Sequence, residues 1–389
     1  MATHALTLPR DALAATRAEL LEARHLPGDF HHSPEVYRLE IEKIFMRDWL
    51  CTGRVEQHEK PSDYRALRIA GEPVLVCRDR NGHVNAFANV CRHRGVEVAT
   101  GRGNRADFMC PYHGWTSDPE GRLVGAPLNK GVRRFDFDGC RLLPVRLETW
   151  GGYVFVDLDP DAPSLATWLD DDGVRRTEAV VRPADTRIAD EYVLEVDCNW
   201  KFIPENLMDV YHTKVVHGQS FAKHCTLANF PFELAPDGRY HAEYESLTMA
   251  PDGVSLFGPM PWMRDRSPLW ACTLYVRPTF NLFARYDLVQ PWVALPLGPE
   301  KTQITIWTQF PHENFDMPAF EAKNGVYEDF IRLVAEEDLA MLRSLQNGVK
   351  SRNFTPGPTV ELEKAIHHLL DYYLDRGFGQ DDGRSHDGR

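Results

Sequence analysis

The pattern that most constrains this chain is a pair of short cysteine–histidine signatures. Cys91-Arg92-His93 is followed, after the 16 residues 94–109, by Cys110-Pro111-Tyr112-His113. Each segment offers one thiolate and one imidazole, so the fold must bring two loops together around a shared centre. Two iron ions bridged by two sulfides require four protein ligands, and this mixed set puts both cysteines on one iron and both histidines on the other. Neutral imidazole in place of thiolate removes negative charge from such a centre. Its reduction potential rises, and it can accept electrons from a ferredoxin.

A structural zinc ion can also use two Cys and two His, but zinc fingers pair Cys with Cys and His with His. With 8 Cys and 16 His in 389 residues, chance produces the pattern in about one chain in a thousand. Down to the flanking Arg94-Gly95 and Gly114-Trp115, the signature resembles that of Rieske [2Fe–2S] proteins. The resemblance implies that Cys91, His93, Cys110 and His113 hold the cluster.

The net charge of −13 argues against nucleic acid or an anionic membrane surface as the main partner. Hydrophobic content of 43% and charged content of 26% are those of an ordinary globular protein. The remaining cysteines, Cys51, Cys77, Cys140, Cys198, Cys225 and Cys272, show no disulfide framework, and free thiols beside an iron–sulfur cluster suit a reducing cytosol. The N-terminal stretch is interrupted by Arg10, Asp11, Arg17, Glu19, Glu22 and Arg24, unlike a signal peptide. No run reaches the roughly 18 apolar residues of a spanning helix. A cytoplasmic, soluble protein is expected, with neither nucleic acid nor membrane as partner.

The expected fold class is α+β: a small all-β Rieske [2Fe–2S] domain and a catalytic domain built on a helix-flanked antiparallel sheet. Residues 1–48 read as an N-terminal helical arm belonging to the second domain. Within it Ser33 caps a helix over 33–49, Pro34 sits at the first helical position, and Tyr37, Ile41, Ile44 and Phe45 form the apolar stripe. Residues 49–160 are short β-rich runs between turns such as Asn81-Gly82 and Gly151-Gly152, expected to carry the cluster on two loops. Residues 161–378 hold longer alternating segments from Tyr240 to Phe310, a long helix over 317–347 and another over 361–376. The polar tail 379–389 is expected to be disordered.

A second site is suggested by Asp209-Val210-Tyr211-His212 and His217. Alone this is a weak signal, equally suited to a capped helix with two satisfied histidines. His212 and His217 are five apart, about 140° round an ideal helix, so both reach one metal only if the helix ends or distorts. Two histidines need a carboxylate to form the facial triad of non-haem Fe(II) oxygenases, which leaves positions free for O2. The candidates lie in Glu336-Glu337-Asp338. Asp338 falls in the otherwise apolar stripe Val334, Met341, Leu345, where a buried carboxylate needs a partner or metal. Glu337 is the runner-up, and Glu336 is expected to be solvated.

Taken together, these segments and the late motif Gln346-x-Gly348 with Ser351 resemble the α subunit of the terminal oxygenase in Rieske non-haem iron oxygenases, the ring-hydroxylating family, over nearly the whole chain. The resemblance implies a mononuclear Fe(II) held by His212, His217 and Asp338. It implies that Asp209 is the acidic bridge to a neighbouring subunit's cluster, and hence a head-to-tail homotrimer. It also implies electrons from NAD(P)H through a reductase and a possible ferredoxin. No dinucleotide fingerprint is present, which places the nicotinamide and flavin on a partner. Arg92, Arg94, Arg102, Arg105, Lys130, Arg133 and Arg134 offer a basic docking surface or ordinary solvated charge. The aromatics between Tyr240 and Trp292 could hold a ring or cage a quaternary ammonium, though sheet core accounts for most of them. Arg277 and Arg285 could anchor a carboxylate or sit exposed on the sheet. The expected substrate, beside O2, is a small aromatic acid or related ring that is hydroxylated. The alternative is oxidative N- or O-demethylation or hydroxylation of a methylated ammonium compound, to which His25-Leu26-Pro27 and Phe45 to Leu50 give a likeness in the glycine-betaine and carnitine oxygenase subgroup. A Rieske electron carrier without oxygenase activity is a further reading, but it would need none of residues 160–389.

Overall fold

A computed structural model of the chain describes residues 10–127, 132–226 and 230–379. The expected disorder of the tail beyond Gly379, and the proposed role of Lys130, lie outside the described residues. Two compact units are present: Phe45–Trp168, and the residues up to Ile44 together with those from Leu169 onward. The fold is mixed α+β with antiparallel sheets.

Among its described residues, the Phe45–Trp168 unit contains a seven-stranded antiparallel sheet and a smaller three-stranded one. The smaller sheet joins Phe108–Met109, Thr116–Ser117 and Leu123–Gly125. Tyr64, Leu75, Cys77, Phe87, Phe108 and Leu142 pack as one buried cluster that also takes in Cys91 and Cys110. The two candidate ligand cysteines are therefore fixed by the core of this unit.

Among its described residues, the other unit is built on a second seven-stranded antiparallel sheet. Its spatial order is Thr186–Val196, Lys301–Pro311, Val289–Gly298, Phe280–Arg285, Trp270–Val276, Tyr240–Glu245 and Glu233–Leu234. A 30-residue helix, Phe320–Val349, lays Phe330, Ile331, Val334, Ala335, Leu339 and Leu342 into the core beside this sheet. Each such large side chain contributes roughly 1.5–3 kcal/mol by leaving water. The predicted stripe is corrected at its C-terminal end. Val334 and Asp338 are buried, whereas Met341 and Leu345 are about half exposed.

The early helix is shorter than its sequence suggests. Ser33 Oγ accepts the Val36 N–H at 3.3 Å, Pro34 opens the helix, and regular α geometry ends at Glu40 before a π turn over Ile41–Phe45. The most buried residue of its α segment is Glu40. Lys201 Nζ and the Tyr373 hydroxyl both approach Glu40 Oε1 at 2.5 Å, while Trp200 Nε1 donates to Oε2 at 2.9 Å. A carboxylate can occupy this fully buried position because a cation and two neutral donors satisfy it. That cluster joins the early helix, the Asn199-Trp200-Lys201 segment and the last helix, Lys364–Phe378.

Candidate active site

The two cysteine–histidine loops share one backbone plan. Gly95 N–H donates to the Cys91 carbonyl at 2.9 Å and Cys91 N–H to Val96 at 2.8 Å. In the second loop, Gly114 N–H donates to Cys110 at 3.0 Å and Cys110 N–H to Trp115 at 2.7 Å. Closing both turns requires a residue at positive φ, and Gly95 (82°) and Gly114 (72°) supply it. The loops differ only in where histidine falls, third in the first and fourth in the second. Cys91 and Cys110 are buried, whereas His93 and His113 are exposed with ring centroids 4.6 Å apart. His93 also stacks on Trp115 at 4.8 Å. Thiolates inside and imidazoles at the surface fit a cluster with one sheltered iron and one solvent-facing iron.

In the second unit, helix Phe202–Met208 stops before Asp209, whose ψ of 105° leaves helical space. A single turn, Thr213–Val216, follows, with His212 and His217 as its flanking residues. The turn ends at His217, whose ψ of 20° departs from helical geometry, so the expected distortion falls at the second histidine and not at the break after Met208. His212 Nε2 lies 3.3 Å from His217 Nε2. Asp338 Oδ1, projecting from the long helix, lies 3.3 Å from His212 Nε2 and 3.0 Å from His217 Nε2. One donor atom from each of the three residues falls within 4.8 Å of the others. Two imidazoles and one carboxylate suit a divalent ion with open positions.

The surrounding carboxylates add to this fit. Glu337 Oε2 lies 2.8 Å from His217 Nδ1 and accepts the Ser220 hydroxyl at 2.5 Å. Asp209 Oδ2 lies 3.1 Å from His212 Nδ1, while its Oδ1 accepts the Tyr211 N–H at 2.7 Å. Burial disfavours charge on both rings, yet Asp209 and Asp338 outweigh it and raise His212 to about 9. For His217 burial is again outweighed, by Asp338 and then Glu337, and its pKa is raised. Asp338 is drawn below its ordinary range despite burial, because His212 and His217 face it. The site attracts positive charge, as a cation-binding donor set should. Glu336 is held elsewhere, accepting the Tyr192 hydroxyl at 3.0 Å.

These residues border a cavity. Its sheet wall is one pleated face. Tyr244 lies opposite Ala271, which lies opposite Arg285; Thr273 lies opposite Phe283, which lies opposite Gln290. Positions two apart share a face, so Tyr240, Phe283 and Trp292 join them. Phe221 and Phe230 close the cavity from the segment after His217. Of the aromatics between Tyr240 and Trp292, Tyr240, Tyr244, Phe283 and Trp292 line it, while Phe257, Trp262, Trp270, Tyr275, Phe280 and Tyr286 do not. Phe221, Phe230, Thr273 and Gln290 were not foreseen, because pairing register and loop closure are not written in local pattern. The exposed placement considered for Arg277 and Arg285 is corrected, since both are buried. A second cavity shares Asn206, Asp209 and His212 with the first and adds His25, His31 and Glu205.

A family model described as ring hydroxylating alpha subunit (catalytic domain) matches residues 183–377, and one described as Rieske [2Fe–2S] domain matches residues 48–136. The chain is 33% identical over 426 residues to the glycine betaine monooxygenase oxygenase subunit of Chromohalobacter salexigens, covering 96% of this chain and 92% of that one. It is 27% identical over 360 residues to the chloroplastic choline monooxygenase of Arabidopsis thaliana, covering 88% and 80%. Its fold is similar to a solved quaternary ammonium Rieske monooxygenase, with a TM-score of 0.78 at 24% identity over 94% of this chain and 97% of that one. Among the described residues, no helix is long and apolar enough to cross a membrane. The chain belongs to the Rieske non-haem iron oxygenases as the α subunit of a terminal oxygenase component, an oxidoreductase whose cofactors are a Rieske [2Fe–2S] cluster and a mononuclear non-haem iron.

Proposed function

We propose that the substrate is a small methylated ammonium compound, hydroxylated at a carbon bound to nitrogen, rather than an aromatic acid. The observation that carries this reading is the aromatic cavity beside His212, His217 and Asp338 in a chain whose relatives are named for glycine betaine and choline. Aromatic faces attract a quaternary ammonium through the ring quadrupole, most strongly where water is excluded. Phe230 and Tyr244, with ring centroids 5.0 Å apart, and Trp292 supply such faces.

In this reading Cys91, His93, Cys110 and His113 hold the cluster, and His212, His217 and Asp338 hold the iron. A cluster held there would supply single electrons, and an iron held by His212, His217 and Asp338 would supply the activation of O2. Glu337 fixes the Nδ1 proton of His217 and the Asp209 carboxylate faces Nδ1 of His212, which favours an Nε2 lone pair on each ring toward the shared centre. The sheet face excludes water and orients the C–H bond to be oxidised. The overall change is R–H + O2 + 2 electrons + 2 protons → R–OH + H2O. Where the carbon is an N-methyl group, the product breaks down to formaldehyde and the demethylated amine. Asp209 is assigned as the link to a neighbouring subunit's cluster in a homotrimer. A reductase, with or without a ferredoxin, supplies the electrons.

The test is O2 uptake by iron-loaded protein with NADH and a surrogate reductase, against methylated ammonium compounds and aromatic carboxylates. Uptake with a methylated amine, accompanied by formaldehyde or a hydroxylated amine, is expected. Uptake with an aromatic acid giving a ring-hydroxylated product would overturn the reading.

A further inference from the structure

Arg277 and Arg285, both in the sheet region, have different fates. Arg277 pairs with Asp237. Arg285, the last residue of its strand, is only 4% exposed and lines the cavity beside His212, His217 and Asp338. Its Nε and Nη1 have no hydrogen-bond partner in the protein, and among the described residues it forms no ion pair. Asp287, two residues along, is taken by the Thr248 and Tyr327 hydroxyls, each at 2.6 Å. The Asp287 carboxyl acts on it only through space, and the Phe221 ring lies over it, with the centroid 5.3 Å from the guanidinium carbon.

A guanidinium cannot escape this burial by losing its proton. An unpaired charge in a desolvated cavity is unfavourable, and it becomes favourable when an anion enters and hydrogen-bonds to it. A planar carboxylate matches the fork of Arg donors. Gln290, two strand positions away on the same face, offers an amide beside it.

We propose that Arg285 is the specificity-determining residue that binds a substrate carboxylate, so that the preferred substrate is a trimethylammonium carboxylate rather than the corresponding alcohol. This rests on the methylated-ammonium reading and deepens it, because the relatives named above act on one compound with a carboxylate and one without. Anchoring the anionic end orients the rest of a short substrate toward His212, His217 and Asp338.

The test compares the intact, cofactor-loaded protein with its Arg285→Gln and Arg285→Lys variants. Binding of glycine betaine, choline and benzoate is measured by calorimetry, and turnover is measured with any that are oxidised. Wild type is expected to bind the betaine on the order of 100-fold more tightly than choline. Arg285→Gln should lose that preference through KM and, with the substrate no longer oriented, through kcat as well, while choline binding is unchanged or improved, and Arg285→Lys should restore part of it. A structural arginine would lower the melting temperature on removal. Here Arg285→Gln should match or exceed wild type without substrate. Retention of the carboxylate preference by Arg285→Gln, or no tighter binding of any carboxylate than of choline in wild type, would overturn the proposal. Tight benzoate binding lost in Arg285→Gln would uphold the anchor and sink the ammonium reading. Betaine oxidation indifferent to the variant would do the reverse.

Discussion

Glu337 Oε2 and His217 Nδ1 lie 2.8 Å apart, behind a ring whose Nε2 faces Asp338 Oδ1 at 3.0 Å. Consecutive residues of one helix diverge by about 100°, and the imidazole fits the angle between them. One carboxylate faces the Nε2 side of the ring and its neighbour holds the opposite nitrogen. Such supporting carboxylates set tautomer and ring orientation. Glu337→Gln is therefore expected to weaken mononuclear-iron retention or activity by roughly 10- to 100-fold. Ser220→Ala should do less, because the Glu337 charge remains. The cluster's visible spectrum should not change. Iron loss to a chelator, timed in each variant, checks this, and wild-type retention in Glu337→Gln would reduce Glu337 to a surface charge.

His212→Ala and Asp209→Asn should separate two roles on neighbouring residues. His212→Ala removes a donor and should lose the mononuclear iron while keeping cluster iron and its absorbance. Asp209→Asn keeps the Oδ1 contact to Tyr211 N–H but changes the group facing His212 Nδ1. It should keep most iron, reduce its cluster normally, and fall roughly 10- to 100-fold or more in turnover. Metal analysis alongside single-turnover kinetics distinguishes the two. An Asp209→Asn variant with wild-type turnover would remove Asp209 from the electron path.

The pairing of the two cysteine–histidine loops was legible because cysteine and histidine at fixed spacing carry their chemistry in sequence, and the two loops do meet at His93 and His113. The alternation of Tyr240, Ala242 and Tyr244 likewise betrays a pleated strand. What local pattern cannot state is which strand lies opposite. The union of Tyr244, Arg285, Phe283 and Gln290 on one wall depends on register over three strands. The end of the helical turn at His217 was required by geometry, whereas the break after Met208, where Asp209 turns its Oδ1 onto Tyr211 N–H, was not written in the spacing. The burial of Glu40 carries no local signal, since its partners Lys201 and Tyr373 come from distant segments.

Those partners make Lys201 a sensitive point. Lys201→Met would leave the Glu40 carboxylate fully buried with only two neutral donors. Removing one partner of a buried ion pair typically costs about 3–5 kcal/mol. Glu40→Gln with Lys201→Met should recover part of that loss, since a neutral amide oxygen still accepts from Tyr373. Denaturant unfolding of both single variants and the double variant gives the coupling directly. Strictly additive losses would show that the two side chains act independently.

His58, in the Phe45–Trp168 unit, is 2% exposed, and burial followed by the nearby Arg65 guanidinium pushes its imidazole down to about 4. An unfolded histidine titrates near 6.5, so below that pH the unfolded chain binds a proton that the folded one refuses. The contribution to stability is complete above pH 6.5 and is lost as pH falls toward 4, amounting to about 3 kcal/mol across the window. Acid damage to the cluster acts on every variant alike, so the informative quantity is the difference from His58→Phe, which keeps an apolar ring in the site and has no proton to bind. At pH 7.5 that difference reflects packing alone. Between pH 6.5 and 4.5 the wild-type midpoint should fall more steeply than that of His58→Phe, when unfolding is followed by circular dichroism at fixed ionic strength. Parallel curves through that interval would mean that His58 is protonated in the folded protein as readily as in the unfolded chain.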